Sequence, residues 1–323
     1  MFKPTLIAAI GAAFALTGVA ASPALAQSYS PQEAQAQQPS DRMTQEVDDA
    51  AQGRSRSTSD SRIRRGRGAQ QPAAPTPEAN IAAAQAIATS AGVGCQVTEA
   101  NLLGQTAERA RSYEAACSTG PGFILVAGNP PQAIDCVLLA GQAEIDRTRD
   151  PAAEIGRQCV LPQNADVVRV VAAYAAEAGI PCTVDQGSSI GKAASGNLVY
   201  EVGCNNADGY WLERAEAGWT KTECSVIITR NATCRFSTPA EAATTLRTRF
   251  AGSEAATCDV TEGRYMGANA NGSFYEAKCG AGNGVIVRFD PAFAVQQVYP
   301  CEVAHRIGGG CRLTVVPEAP AAS

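Results

Sequence analysis

The sequence of 323 residues predicts an α+β fold: three tandem repeats, each a helix packed on a small antiparallel four-stranded sheet and stapled by disulfides. Three observations carry this. The twelve Cys fall into three sets of four, at 95, 117, 136 and 159, at 182, 204, 224 and 234, and at 258, 279, 301 and 311. The spacing from first to second Cys is 22, 22 and 21 residues, and from third to fourth 23, 10 and 10. Short motifs recur in step with them: C-x-V-x6-G at Cys95, Cys182 and Cys258, then Y-E-x-x-C at Tyr113, Tyr200 and Tyr275. Five residues after that second Cys comes a Gly with an apolar follower, Gly122-Phe123, Gly209-Tyr210 and Gly284-Val285.

A helix is expected before each first Cys. Thr238-Pro239-Ala240-Glu241 has an N-cap Thr, Pro at the first helical position and Glu placed to close a capping box. Thr76-Pro77-Glu78 opens the first helix in the same way, and the Ala/Val-rich stretch 167–179 ends at Gly179. Strands follow. CQVTEANLLG and RSYEAAC flank a turn, as do CTVDQGSSIG and NLVYEVGC, and in repeat three the turn holds Asn271-Gly272, a favoured hairpin dipeptide. A third strand starts at Phe123, Tyr210 or Val285. A fourth is expected to carry the third Cys, in CVLLAG, CSVIITR and CEVAHRI. The first repeat inserts LAGQAEIDRTRDPAAEIGRQ between its last two Cys.

Alternation sorts the faces. Tyr113, Ala115 and Cys117 share one face, as do Tyr200, Val202 and Cys204, and Tyr275, Ala277 and Cys279; these belong under the helix. Glu114, Glu201 and Glu276 then point to the other face, with Ile124, Trp211 and Ile286 of the third strand. Read as an open face, this gives each repeat an acidic group beside an apolar patch. Trp211, between Glu201 and Glu213 and expected to be more exposed than Tyr210, is its best interaction anchor. The same face packing between repeats is the alternative.

Four Cys per repeat allow three pairings. The first two sit symmetrically about a hairpin turn, where antiparallel strands bring them side by side. This favours Cys95–Cys117, Cys136–Cys159, Cys182–Cys204, Cys224–Cys234, Cys258–Cys279 and Cys301–Cys311, with no free thiol and no bridge between repeats.

The flanks differ in kind. Residues 1–26 read as a signal peptide: Lys3, an apolar run from Leu6 to Ala21, and a small-residue Ala24-Leu25-Ala26 cleavage site. Residues 27–75 form a Gln/Ser/Pro-rich leader expected to be disordered, with Arg54, Arg56, Arg62, Arg64, Arg65 and Arg67 against the single acid Asp60, a possible contact for an anionic surface. Repeats are expected over 76–161, 162–236 and 237–316, and a disordered tail over 317–323. No later window is apolar enough to span a bilayer, so the mature form has no transmembrane segment, and the Cys content points to the periplasm or secretion.

With 26 basic and 31 acidic residues the chain does not read as a nucleic-acid binder. Its single His, His305 in HRIGGGC, has no nucleophile or orienting acid nearby in sequence, and Asn205-Asn206-Ala207-Asp208-Gly209 lacks the later Glu of a calcium loop. No catalytic set, cofactor motif or metal-ligand spacing stands out. The helix followed by Tyr200-Glu201-Val202 and the Asp208-Gly209-Tyr210 hairpin resembles PepSY-type domains and, more loosely, the repeated modules of secreted beta-lactamase inhibitor proteins, over about 40 residues of each repeat. The resemblance implies binding to, or inhibition of, a secreted hydrolase. The expectation is an exported, non-enzymatic binding protein; the alternatives are an inhibitor of a secreted peptidase or beta-lactamase, and an envelope-associated structural protein held by the Arg-rich leader.

Overall fold

A computed structural model describes residues 75–315. The expected signal peptide, all of the leader before Pro75 with its six Arg, and the tail lie outside the described residues. The described chain is three modules in a row, each with a four-stranded antiparallel sheet in simple up-and-down order.

Module 1 comprises helix α1 (Pro77–Ser90), strands β1 (Val97–Gln105), β2 (Arg111–Cys117), β3 (Phe123–Val126) and β4 (Gln132–Asp135), and helix α2 (Cys136–Arg149). A short turn of helix, α3 (Pro162–Ala165), leads to module 2: α4 (Val167–Glu177), β5 (Val184–Lys192), β6 (Leu198–Cys204), β7 (Ala207–Ala215), β8 (Gly218–Glu223) and α5 (Cys224–Thr229). Module 3 holds α6 (Pro239–Phe250), β9 (Val260–Asn269), β10 (Gly272–Cys279), β11 (Gly284–Phe289) and β12 (Val295–Pro300).

The helix starts follow from their caps. Thr76 accepts from the Ala79 amide, and Thr238 and Glu241 close the reciprocal capping box. Each helix lies on the face expected for it. Ala84 and Ala88 meet Tyr113, Ala115 and Leu125; Val170, Val171 and Tyr174 meet Tyr200, Val202 and Leu212; Leu246 and Phe250 meet Tyr275, Val287 and Phe289. The approach is close. A Cβ on Gly263 would fall 2.3 Å from Leu246 Cδ1, and one on Gly187 2.7 Å from Val171 Cβ. The equivalent position in module 1 is Ala100, also small. The recurrent Gly104, Gly191 and Gly267 have φ of +138°, +106° and +139° and sit at irregularities where the first strand slips register against the second. There a side chain on Cβ would be strained, which accounts for the repeated Gly.

Six disulfides join Cys95–Cys117, Cys136–Cys159, Cys182–Cys204, Cys224–Cys234, Cys258–Cys279 and Cys301–Cys311, all within modules, and no Cys is free. Such a framework is the mark of folding outside the cytoplasm. Among the described residues no helix is long and apolar enough to cross a membrane.

The fourth strands differ from expectation. They end just before the third Cys, and the Cys begins a helix in modules 1 and 2 and a turn in module 3. CVLLAG and CSVIITR are apolar enough for strands, but Asp135 supplies an N-cap carboxylate to the amides of Val137 (2.7 Å) and Leu138 (3.3 Å), and the chain turns helical there. The insertion in repeat one lengthens this helix to 14 residues, against 6 for α5.

These post-sheet helices join the modules. α2 packs on β5 and α5 on β9. Val137 is part of the module 2 core and Leu138 packs against it. Gly141 touches β5 so closely that a Cβ would lie 2.3 Å from the Ser189 carbonyl, and Glu144 accepts from Ser188 Oγ at 2.8 Å. At the second joint Glu223 pairs with Arg249 and accepts from the Tyr275 hydroxyl at 2.8 Å.

Candidate functional site

The sheet face opposite each helix is covered, and the expectation of an open acidic face is overturned. Glu114, Glu201 and Glu276 are 1%, 0% and 0% exposed, and Ile124 and Ile286 are buried with them. What covers them is the segment that the second disulfide closes, running on past the fourth Cys. We call it the lid.

Each Glu is the acceptor that holds its lid. Glu114 Oε1 accepts from the amides of Val160 and Leu161, both at 2.8 Å, and from Asn164 Nδ2 at 3.0 Å. Glu201 accepts from the amides of Arg235 and Phe236, the latter at 2.7 Å. Glu276 Oε1 accepts from Arg312 and Leu313 at 2.7 Å and from Thr314 at 3.3 Å. The donors are in every case the first residues after the fourth Cys. A buried backbone N–H needs such a partner, and a charged acceptor makes the stronger bond. Modules 2 and 3 add a guanidinium: Arg235 Nε lies 3.4 Å from Glu201, and Arg264 Nε 2.6 Å from Glu276. Module 1 has Val160 and Asn101 at those two places. Burial pushes the Glu201 carboxyl upward, against the opposing pull of the Phe236 and Arg235 amides.

The repeated Gly at the start of each third strand lies against the lid. A Cβ on Gly122 would meet Asn164 Oδ1 at 1.9 Å, and one on Gly284 Thr314 Oγ1 at 2.1 Å and Cys301 Sγ at 3.0 Å. On Gly209 it would meet the Val202 carbonyl at 2.5 Å and Cys224 Sγ at 3.4 Å. A larger residue at Gly122 or Gly284 would push on the lid, and one at Gly209 would first meet the backbone of β6. The carboxylate and the two sulfurs of the second bridge lie within 4.8 Å of one another in each module; the sulfurs are bonded together and present no thiolate to a metal.

The remaining candidates are dispersed. Trp211 packs against Cys224, Ile227, Ala232 and Cys234 of its own lid. It is half-buried, as is Tyr210, so alternation does not separate their exposure as expected; the lid has claimed the outer side. Glu213 accepts from Ser195 Oγ and Asn197 Nδ2 at 2.7 and 2.8 Å, tying β7 to the β5–β6 turn. His305 is exposed on the third lid. Asp208, in the stretch considered as a cation loop, is buried: it accepts from the Ser225 amide and Ser237 Oγ, and burial pushes its carboxyl upward.

Sequence reading passed over the carboxylates at the joints. Asp135 and Glu223 each stand immediately before a third Cys, a position visible in the sequence. Burial pushes Asp135 up to about 6, against the Val137 and Leu138 amides and the charge of Arg214. Around it stand Tyr174 and Tyr200 of module 2, with Arg214 stacked 5.1 Å from the Trp219 ring and 5.6 Å from that of Tyr174. At the second joint, Asp208, Ser225, Thr245, Arg249, Arg264 and Tyr275 line a small cavity with room for about one water.

No protein-family model matches the chain, no curated protein matches it, and no solved structure matches it.

Proposed function

We propose that this is an exported, non-enzymatic binding protein in which three stapled modules form one semi-rigid array that a partner protein recognises by its outer surface. The observation that supports this is where the chemistry-bearing groups point. The thiols are bridged, the three repeated Glu hold lids, Asp135 caps the helix that docks at the first joint, Asp208 holds Ser225 and Ser237 beside the second, and Glu223 bonds across it, so these groups hold the array together rather than lining an open cleft. A surface of fixed shape limits the ordering cost of binding. The face first expected to carry the binding site is occupied by the lids, which moves the search to their outer surfaces and to the ends of the array.

The test uses the mature chain from Gln27, oxidised and then reduced, as bait against native envelope and culture-medium proteins. A partner held in a defined stoichiometry by the oxidised form and released on reduction supports the reading. If that partner is a hydrolase and loses activity stoichiometrically, the function narrows to inhibition. Turnover of a peptide, ester, lactam or glycoside by the purified chain overturns it.

A further inference from the structure

The two joints inside the chain reuse one pair of surfaces: the segment after the third Cys of one module packs on the first strand of the next, α2 on β5 and α5 on β9. Among the described residues, the first strand of module 1 and the segment after the third Cys of module 3, a turn where modules 1 and 2 have a helix, are the two counterparts of these surfaces with no other module packed on them. On the first-strand side, Ser189 is buried beneath Gly141 of α2, while Leu102, seven residues after the first Cys just as Ser189 is, is 39% exposed. On the donor side, Leu138 packs into the neighbouring module, while Val303, two residues after the third Cys as Leu138 is, is 66% exposed. Leu102 and Val303 are thus two of the few large apolar side chains exposed among the described residues, and they mark the two ends of the module series.

We propose that a second copy of this chain continues the array, the third lid of one molecule docking through Val303 on strand β1 of the next at Leu102. The contact is head-to-tail, so it grows into chains or closes into rings rather than stopping at a symmetric dimer. It is weaker than the internal joints. Pro300 stands where Asp135 and Glu223 stand, so the end joint lacks a carboxylate such as Glu223, which accepts from the next module's Tyr275, and it has no covalent linker to raise the local concentration. Association is therefore expected to depend on concentration. It requires no foreign ligand and holds whether or not one binds.

Sedimentation velocity on the mature chain and on Leu102→Glu and Val303→Glu tests it. Wild type should show a weight-average sedimentation coefficient that climbs with concentration beyond the dimer value. Each variant alone should stay monomeric, its association weakened by about tenfold or more. The two variants mixed should form a one-to-one dimer and stop there, because each retains the end that the other lacks; that result also shows that both are folded. A wild type that stays monomeric at every concentration overturns the proposal. So do single variants that associate like wild type, or a mixture that remains monomeric.

Discussion

The two faces of each sheet are built on different principles. On the helix side the contact is apolar and alternates as a buried strand should: Tyr275, Ala277, Val287 and Phe289 against Leu246 and Phe250. On the lid side a carboxylate at full burial collects the backbone amides just after the fourth Cys, a stretch in no helix or strand. A helix satisfies its own amides and needs only a greasy partner. The irregular end of the lid does not, and must find acceptors in the sheet it covers. The Tyr-Glu pair thus divides the labour of one strand, with Tyr toward the helix and Glu toward the lid.

The difference predicts unequal responses to mutation. Glu276→Ala should be the most damaging single change, because it leaves the amides of Arg312 and Leu313 and the Nε of Arg264 without their acceptor. A loss of about 3–5 kcal/mol in urea unfolding is expected, as for one side of a broken buried pair. A loss below that of an ordinary surface change would remove the clamp. Leu246→Ala on the helix side of the same module should cost about 3 kcal/mol, the amount of an ordinary core truncation, with the lid amides undisturbed.

Trp211→Ala lies between the two principles, an apolar contact on the lid side. Its half-buried ring leans on Ile227 and the second bridge of module 2. A loss of about 2 kcal/mol is expected from the area it buries. Equal stability with weakened partner binding would instead restore Trp211 as an exposed anchor. The last effect concerns the first joint and shows only as a pH dependence. The folded-state value of Asp135, about 6, lies above its ordinary 3.8, so the folded form holds the proton more tightly. Stability contributed by that proton is present at low pH and is lost as pH rises from about 4 through about 6. Asp135→Asn should flatten this part of the stability profile while still capping α2. An unchanged slope between those pH values would contradict the burial of this carboxyl at the joint.

Much of this architecture was legible before any coordinates. Cys spacing and hairpin symmetry reached the bridges because a disulfide demands proximity, and a two-residue strand period reached the helix-side face. Alternation also put Glu114, Glu201 and Glu276 on the side away from the helix. It could not say that this side was covered, since alternation reports direction and not burial. The stretch of lid that each Glu holds has no period of its own to read. Its signature was present in other terms: a Gly too small to be accidental before each third strand, and a third bridge-forming Cys after it. The post-sheet helices read as strands because their Val, Leu and Ile composition outweighs a single Asp at the N-cap position of α2.

The central claim, that the repeated Glu is the anchor of its lid, is tested most directly by amide hydrogen exchange. The amides of Val160 and Leu161, of Arg235 and Phe236, and of Arg312 and Leu313 should exchange slowly despite lying outside any helix or strand, and slowly in all three modules. In Glu201→Ala the pair at 235 and 236 should lose protection while the β6–β7 amides and the other two lids keep theirs. Fast exchange of these six amides in the wild-type chain would contradict the account.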